Sequence, residues 1–326
     1  MKAIVTGGAG FIGSHLVELL LKKGFEVVAV DDMSNGQLDN VELFKDNPKY
    51  RFLKIDLSKG FDDSFFKGTD YVFHMAALAD IVPSIENPVR YHEANVTATV
   101  RVLEACRKYS IKKIIYSASS SCYGIPDRYP TNENADIRPE YPYAFTKYLG
   151  EQCVMFWSRL YKIPAVSLRY FNVFGTRART NKTYGAVFKV FLKQKLEKKP
   201  LTIVGDGSQT RDFIYVTDVA EANLLAAESD INGEIINIGA GKPQSINHLA
   251  ELIGGEKVYI PKRPGEPDST HADISKAKKL LDWKPKVPFE DGVKIMLENI
   301  DYWKDAPLWT PEKIEQATKA WFKYLK

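Results

Sequence analysis

Residues 2 to 13 read Lys2-Ala3-Ile4-Val5-Thr6-Gly7-Gly8-Ala9-Gly10-Phe11-Ile12-Gly13, a short apolar run that passes directly into a glycine-rich turn. Residues 14–23 then place leucines at helical spacing, so a strand, a turn and a helix follow one another. Glycine lets the backbone turn tightly and approach a pyrophosphate, and the start of a helix offers free N–H donors. The stretch therefore predicts a dinucleotide-binding unit.

The second predicted strand, residues 26–30, ends at Asp31, at the distance from the turn where a carboxylate can bind the adenosine ribose hydroxyls. No arginine or lysine lies between Asp31 and Leu38 to bind a 2′-phosphate, which favours NAD over NADP. Further predicted strands at 51–55, 71–74, 113–117 and 165–170 alternate with helical segments. This alternation predicts an α/β fold with a doubly wound parallel (Rossmann) sheet and a ligand crevice at the carboxyl ends of its strands.

Composition excludes several classes of protein. With 44% hydrophobic and 26% charged residues, the 326-residue chain is an ordinary globular protein that can bury a large core in one large or two intimate domains. A net charge of +4 is too small and scattered to indicate nucleic-acid binding. No apolar run approaches the length of a membrane span, and the three cysteines lack disulfide or metal spacing. We therefore expect a cytoplasmic protein without a structural metal.

Tyr143 and Lys147 lie four residues apart, and the helix that carries them is predicted to extend from Phe145 to Tyr161. A phenol with a reference pKa of about 10 is a poor base at neutral pH, but a neighbouring ammonium and a cationic nicotinamide both favour the phenolate. Ser119, after the predicted strand 113–117, could help to transfer a substrate proton while hydride leaves the same carbon. The spacing alone also fits an ordinary helix face, but beside the predicted crevice these residues are candidate catalytic groups.

The glycine spacing resembles the T-G-G-x-G-F-I-G loop of the extended short-chain dehydrogenase/reductase family. Residues 169–175 resemble the R-Y-F-N-x-x-G segment of its nucleotide-sugar epimerases and dehydratases, residues 205–213 resemble G-D-G-x-x-x-R-D-F, and residues 263–266 resemble R-x-G-[DE]. The resemblance covers roughly residues 2–300. It implies a Rossmann domain of residues 1–172, completed by parts of 213–240, and a smaller α/β substrate-binding domain of residues 173–212 and 241–326.

The resemblance also implies the residues of the site. The implied NAD-binding residues are Gly7, Gly10, Phe11, Ile12, Gly13, Asp31, Asp32, Ser34, Asn35, Gly36, Asp56, Leu57, Met75, Ala76, Ala77, Asn95, Ser117, Tyr143, Lys147 and Tyr170. The implied substrate-binding residues are Ser119, Ser120, Ser121, Asn172, Ala186, Val187, Arg211, Arg263 and Glu266. Both arginines are expected to grip a diphosphate, Arg211 with its fork held by Asp212, and Glu266 to bind the nucleoside ribose. The residues 183–187 are expected to open a helix whose amides face a phosphate.

Not every conspicuous side chain is expected to act in the site. Asn95 is also the family's structural asparagine, and His74 at the end of an apolar strand is expected to pack rather than catalyse. The tryptophans at 303, 309 and 321 are expected to pack the last helices.

The residues after Ser119 bear on the reaction. The family's 4,6-dehydratases carry Asp-Glu there and its glucuronate decarboxylases carry Ser-Glu, whereas Ser120 and Ser121 resemble its C4 epimerases. The resemblance implies that Tyr143 takes the O4 proton, hydride passes from C4 to NAD, the 4-keto sugar turns over about its diphosphate, and hydride returns to the other face. We expect a UDP-glucose/UDP-galactose 4-epimerase, and the small Thr270 makes N-acetylated hexoses a further candidate.

Alternatives stay open. A UDP-glucuronate 4-epimerase could bind the carboxylate through Arg177 or Arg179. A nucleotide-sugar 4-dehydrogenase or 4,6-dehydratase would use the same catalytic residues, whereas a silent NAD-binding regulator would be expected to lack Tyr143 or Lys147. The resemblance further implies a homodimer through a four-helix bundle of helices 91–109 and 145–161. Its apolar residues on two faces include Val100, Leu103, Leu149, Val154 and Trp157.

Overall fold

The structure is a computed structural model that describes residues 1–178 and 184–325. Its strands are β1 (Lys2–Thr6), β2 (Glu26–Asp31), β3 (Tyr50–Lys54), β4 (Tyr71–His74), β5 (Lys113–Ser119), β6 (Ala165–Tyr170), β7 (Asn172–Phe174), β8 (Leu201–Val204), β9 (Thr210–Arg211), β10 (Phe213–Tyr215), β11 (Glu234–Ile238), β12 (Gln244–Ser245) and β13 (Lys257–Ile260). Its α-helices are α1 (Phe11–Lys22), α2 (Leu38–Glu42), α3 (Ile81–Glu86), α4 (Pro88–His92), α5 (Ala98–Lys108), α6 (Pro142–Tyr161), α7 (Val187–Leu196), α8 (Val216–Glu228), α9 (Ile246–Ile253), α10 (Ser275–Leu281), α11 (Phe289–Glu298), α12 (Pro311–Ala317) and α13 (Lys319–Tyr324).

One parallel sheet positions the candidate site. Its strand order is β11-β6-β5-β4-β1-β2-β3, and each neighbouring pair runs parallel. The chain builds outward from β1 to β3 on one side and from β4 to β11 on the other, so the order reverses between β1 and β4. A ligand crevice is expected at such a reversal, outside the carboxyl ends of the strands. The predicted doubly wound α/β fold is confirmed.

The helix boundaries differ from the predicted ones where local chemistry decides them. Helix α6 begins at Pro142 rather than at Phe145, because proline is favourable at the first helical position and Tyr141 before it is extended. Tyr143 therefore lies in the first turn of α6. The helix predicted over residues 91–109 is divided by a π-helical turn, Glu93–Thr97, between α4 and α5.

Hydrophobic clusters cover both faces of the sheet. On one face α1 and α8 pack against it through residues such as Leu16, Leu20 and Val219, all with no exposed surface. On the other face α5 and α6 contribute Leu103 and Val154. A separate cluster joins α7, α9 and α11, its buried members including Phe191, Leu249, Phe289 and Trp303. The division into a Rossmann and a substrate-binding domain stays a prediction.

Two further observations concern the described part of the chain. None of its helices is long and apolar enough to cross a lipid bilayer. Cys106, Cys122 and Cys153 are free thiols, the first two of them buried.

A buried ion pair connects α6 to the central sheet. The guanidinium of Arg169 on β6 donates to both carboxylate oxygens of Glu151 on α6, at 3.0 and 2.6 Å, and the Ser167 hydroxyl donates to the same carboxylate at 2.9 Å. Arg169 also donates to the Tyr123 hydroxyl at 2.9 Å. Because both charges are buried, the loss of either one would leave its partner without compensation.

We predict that Glu151→Gln lowers the free energy of unfolding by about 3–5 kcal/mol, because the guanidinium stays buried without a counter-charge. Urea denaturation followed by circular dichroism measures the change. The matched control is Asp127→Asn, which removes one carboxylate from an exposed pair with Arg138 and should leave the unfolding midpoint unchanged. Equal midpoints for Glu151→Gln and wild type would contradict this account of α6.

Candidate active site

A cavity of about 390 Å³ lies at the carboxyl ends of the central strands. Its wall contains every predicted NAD-binding residue except Asn95. Residues from the second half of the chain complete the wall, among them Phe174, Ala186, Phe188 and Met296. The glycine turn, the end of β2 and the first turn of α6 therefore face one space, as the sequence predicts.

The glycine turn is packed so closely that larger side chains do not fit. Gly7 has a φ of +70°, and a Cβ on it would lie 2.9 Å from the backbone of Met75 and Ala76. A Cβ on Gly13 would lie 2.1 Å from the carbonyl oxygen of Gly7. Backbone without side chains at the cavity wall lets a pyrophosphate approach closely, and the start of α1 offers it N–H donors.

Asp31, the last residue of β2, also lines this cavity. Its carboxylate accepts hydrogen bonds from Ala9 N at 3.1 Å and Met33 N at 2.9 Å. Burial raises the pKa of Asp31 to about 6, so the group is still ionised at neutral pH. An ionised acceptor in this position suits the hydroxyls of a ribose, and the residues present fit an NAD molecule.

A buried chain of hydrogen bonds lies beneath the reversal point of the sheet. The Thr6 hydroxyl accepts from Met75 N and Ala76 N, both at 3.1 Å, and lies 2.7 Å from His74 Nδ1. His74 Nε2 lies 2.9 Å from the Thr99 hydroxyl. Burial lowers the pKa of His74 to about 3, so the ring is neutral. His74 is thus bonded within the core and does not line the cavity, in keeping with its predicted packing role.

Asn95 continues this chain towards α6. The Thr99 hydroxyl donates to Asn95 O at 2.7 Å, and the Asn95 side chain bonds both N and O of Leu78. Its amide also donates to the Thr146 hydroxyl at 3.0 Å, which donates to Tyr143 O. These contacts use the Asn95 side chain within the protein, as expected of a structural asparagine, and its contact with the cofactor stays a prediction.

The candidate catalytic residues meet at the cavity. The Tyr143 hydroxyl donates to Ser119 Oγ at 3.3 Å, and Ser119 Oγ lies 2.8 Å from Ser121 Oγ. Lys147 lines the cavity with Tyr143, and its ammonium lies 4.3 Å from the ring centroid of Tyr116. Tyr143 and Ser119 therefore have the geometry for moving a proton between Tyr143 and a ligand beside Ser119.

Burial disfavours the charged forms of both Tyr143 and Lys147. It raises the pKa of Tyr143, and the hydrogen bond with Ser119 only partly offsets it. It lowers the pKa of Lys147 to about 7, although the negative charge of Glu151 acts in the other direction. The lowered phenol pKa expected from the sequence is therefore not produced by the chain alone.

The two predicted diphosphate arginines share one carboxylate. Arg211 binds Glu266 at 2.7 Å, and Arg263 lies 3.6 Å from the other oxygen of Glu266. Arg263 also donates to the Tyr184 hydroxyl and lies 4.9 Å from that ring. The prediction that Asp212 holds Arg211 is wrong, because neighbouring residues of an extended chain point to opposite sides. The Asp212 carboxylate instead accepts from the backbone N–H groups of Ala240, Gly241 and Ala272.

The remaining predicted substrate residues lie on several different elements. The Thr270 hydroxyl donates to Asn172 Oδ1 at 2.7 Å, which places the small residue at 270 against the polar tip of β7. Ala186 lines the cavity, and Val187 begins α7. Ser120 and Ser121 lie in a 3-10 turn after β5. Thr183, at the start of the segment predicted to open this helix, lies outside the described residues.

The comparison with known families decides the assignment. Residues 3–239 match the NAD dependent epimerase/dehydratase family.

The chain belongs to this family.

It is therefore an enzyme with NAD as its cofactor, and the family resemblance of the sequence is confirmed.

Individual members of the family are similar over nearly the whole chain. A putative UDP-glucose 4-epimerase of Methanocaldococcus jannaschii is 40% identical over 300 residues, which cover 89% of this chain and 95% of the relative. The UDP-N-acetylglucosamine 4-epimerase from Methanobrevibacter ruminantium M1, solved with UDP-N-acetylmuramic acid, has a TM-score of 0.86 at 36% identity and covers 91% of this chain and 98% of its own. The UDP-glucuronic acid 4-epimerase from Bacillus cereus, solved with UDP-glucuronic acid and NAD, has a TM-score of 0.86 at 35% identity, with coverages of 92% and 99%.

Sequence analysis missed several residues of the site. Lys189 and Asp80 line the cavity near Gly185, where a Cβ would lie 3.4 Å from Lys189 Nζ and 3.6 Å from Asp80 Oδ1. A single lysine in an amphipathic helix carries no signal of this placement. Tyr184 and Trp321, which flank Arg263, are also distant from it in sequence, and no local pattern joins them.

The pKa of Lys147 gives a prediction about pH. Between about pH 7, its pKa in the folded chain, and about 10.4, the ordinary lysine value, the unfolded chain binds a proton that the folded chain does not. Stability due to this group therefore rises with pH across that window. In protein freed of NAD, the unfolding free energy of wild type should increase relative to Lys147→Met as the pH is raised from about 7 to 9.5.

Urea denaturation at several pH values measures this difference. Lys284→Met, at an exposed lysine, is the matched control, and its difference from wild type should stay constant. A constant difference for Lys147→Met as well would show that burial does not disfavour the ammonium.

Proposed function

We propose that this enzyme is a UDP-sugar 4-epimerase, which inverts C4 of the sugar through a 4-keto intermediate. The observation that carries the proposal is the Tyr143 hydroxyl, bonded to Ser119 at the wall of the cavity that the cofactor-binding residues form. Serines follow Ser119 where elimination of water would need carboxyl groups, which disfavours a dehydratase. The names of the three similar proteins support the same reaction.

The chain's own residues then have distinct tasks. Tyr143 takes the O4 proton and returns it, while Ser119 orients the hydroxyl and Ser121 holds Ser119 through its 2.8 Å contact. Lys147 supplies positive charge near the phenolate when it is protonated. NAD, when bound, accepts a hydride from C4 and gives it back.

We assign the diphosphate to Arg211 and Arg263. Both guanidiniums are permanently charged, and Glu266 between them limits their movement. A diphosphate bound there would anchor the nucleotide while the sugar reaches Tyr143. The substrate would then be bound by charge at its diphosphate and by few charged contacts at its sugar. This suits a reaction in which the sugar ring must turn over.

For the sugar we propose UDP-glucose and UDP-galactose, with N-acetylated hexoses as further substrates. Thr270 is small and contacts Asn172, which favours space for a substituent near the tip of β7. The alternative of a uronic sugar is weakened at Arg177, whose guanidinium binds the Glu18 carboxylate and Ser14 O. Arg179, the other candidate for a carboxylate, lies outside the described residues.

Turnover tests the proposal directly. Incubation with UDP-glucose should give UDP-galactose by NMR of the anomeric protons, with no net change of absorbance at 340 nm. Tyr143→Phe should lower kcat by about 10²–10⁴-fold while bound NAD is retained, because only the proton-transferring oxygen is lost. Tyr161→Phe, at the exposed end of the same helix, is the control.

A 4-keto-6-deoxy product, or stoichiometric reduction of added NAD, would replace the epimerase with a dehydratase or dehydrogenase. Full turnover by Tyr143→Phe would remove that residue from the mechanism. UDP-N-acetylglucosamine and UDP-glucuronate, tested in parallel, separate the candidate sugars.

We further propose a homodimer through α5 and α6, in a cytoplasmic enzyme. Leu103 and Val154 face the core, whereas Phe145, Phe156 and Leu160 of α6 are 48%, 45% and 53% exposed. Large apolar side chains exposed along one helix suit a partner surface.

Light scattering after size exclusion should give the mass of two chains. The double variant Phe156→Glu and Leu160→Glu should be monomeric, because it places charge on the proposed contact. Leu43→Glu, at an exposed leucine outside α5 and α6, should remain dimeric. A monomeric wild type would contradict the proposal.

A further inference from the structure

The C-terminal helices lie against the candidate diphosphate site. Trp321 of α13 is buried, and its indole N–H donates to Pro264 O at 2.7 Å. Its ring lies 5.6 Å from the guanidinium carbon of Arg263. A Cβ on Gly265 would lie 3.7 Å from Cβ of Leu325. The last turn of the chain therefore covers the loop that presents Arg263.

Trp321 is buried against this site rather than in the core. Trp303 belongs to a hydrophobic cluster, and Trp309 packs at the edge of the same cluster, as predicted for both. Among the described residues, Trp321 belongs to none of the four hydrophobic clusters. Its polar and aromatic contacts are with the Arg263 guanidinium, the Pro264 carbonyl group and the Tyr141 ring, all next to the candidate site.

Two aromatic rings hold Arg263. The ring centroids of Tyr184 and Trp321 lie 4.9 Å and 5.6 Å from the guanidinium carbon of Arg263. The Glu266 carboxylate forms an ion pair with the same guanidinium. Arginine stacked on aromatic faces loses freedom of orientation and gains a cation–π attraction. A guanidinium fixed in this way is prepared for an anionic ligand before the ligand arrives.

The other edge of the indole faces the catalytic helix. The rings of Trp321 and Tyr141 have centroids 6.3 Å apart. Tyr141 in turn stacks on Tyr143, with centroids 6.3 Å apart and planes only 9° from parallel. Trp321 thus contacts the loop that carries Arg263, and the ring of Tyr141 links it to Tyr143, the proposed proton acceptor.

We propose that Trp321 is a positioning residue that sets the Arg263 loop relative to Tyr143, so that the C-terminal helices form part of a nucleoside diphosphate site. The inference rests on the proposed function, because it takes Arg263 to bind the diphosphate of the substrate. It assigns to the end of the chain a task in holding the substrate at the correct distance from the base.

Calorimetric titration with UDP tests this proposal on the NAD-loaded enzyme. Trp321→Leu should weaken UDP binding by about ten-fold or more, because both the cation–π contact and the hydrogen bond to Pro264 are lost. Trp321→Phe keeps an aromatic ring over Arg263 and should recover most of the affinity. Phe322→Leu, at the neighbouring and 44% exposed position of α13, is the matched control and should bind UDP as wild type does.

Kinetics separate positioning from a general loss of structure. With an accepted UDP-sugar, Trp321→Leu should raise KM by a factor similar to its loss of UDP affinity, while bound NAD and the thermal midpoint of Trp321→Phe stay near wild type. Unchanged UDP affinity in Trp321→Leu would overturn the proposal, and so would a wild-type enzyme that does not bind UDP.

Hydrogen exchange on wild type keeps the test independent of the variants, should Trp321→Leu fail to fold. UDP should slow amide exchange in residues 263–266 and also in 319–325, and unchanged exchange in 319–325 would contradict the inference. UDP carries no sugar, so a wild type that binds UDP with these effects but does not epimerise would refute the proposed function alone.

Discussion

The site depends on a buried chain of hydrogen bonds that joins the two halves of the strand reversal to the catalytic helix. It passes from Thr6 through His74 and Thr99 to Asn95, whose amide reaches Thr146 on α6. A buried polar group costs free energy unless it is paired, and this chain pairs each hydroxyl on two sides. With His74 neutral, the path from β1 to α6 carries no net charge. The position of Tyr143 is thereby fixed to the glycine turn without placing a competing charge beneath the cofactor cleft.

This arrangement has an electrostatic consequence for the catalytic pair. Burial rigidifies Tyr143 and Lys147, but it also favours the neutral form of each, raising one pKa and lowering the other. The negative charge of Glu151, whose carboxylate binds Arg169, partly opposes this lowering of the Lys147 pKa. In the proposed mechanism, the Tyr143 phenolate therefore has to be stabilised by charge from outside the chain. Such a dependence on the bound cofactor would keep the base inactive in protein that lacks it.

The sequence predicted the parts of this site that are local. The glycine spacing, Asp31 at the end of β2, and Tyr143 with Lys147 each depend on residues close in the chain, where strand and helix periods determine direction. Pro142 shows the limit of that reasoning, because a favourable first helical residue moved the start of α6. The Arg211–Glu266 pair spans 55 positions, so only the packing of two loops brings the charges together. Adjacency in the sequence favoured Asp212, but its carboxylate points the other way and accepts from Ala240 N.

In the proposed reaction, the cluster of Arg211, Arg263 and Glu266 and the hydroxyls of Ser119 and Tyr143 would bind different parts of the substrate. Arg263 and Glu266 lie on the loop after β13 and Arg211 lies in β9, whereas the hydroxyls of Ser119 and Tyr143 lie at the end of β5 and in the first turn of α6. Loops hold a charged group precisely only when other elements pack against them, and here α13 supplies that packing through Trp321. The constant part of a UDP-sugar can then be recognised by charge far from the reacting carbon. In the proposed reaction the sugar is then distinguished at other positions, such as Thr270, which bonds Asn172, and Lys189 at the cavity wall.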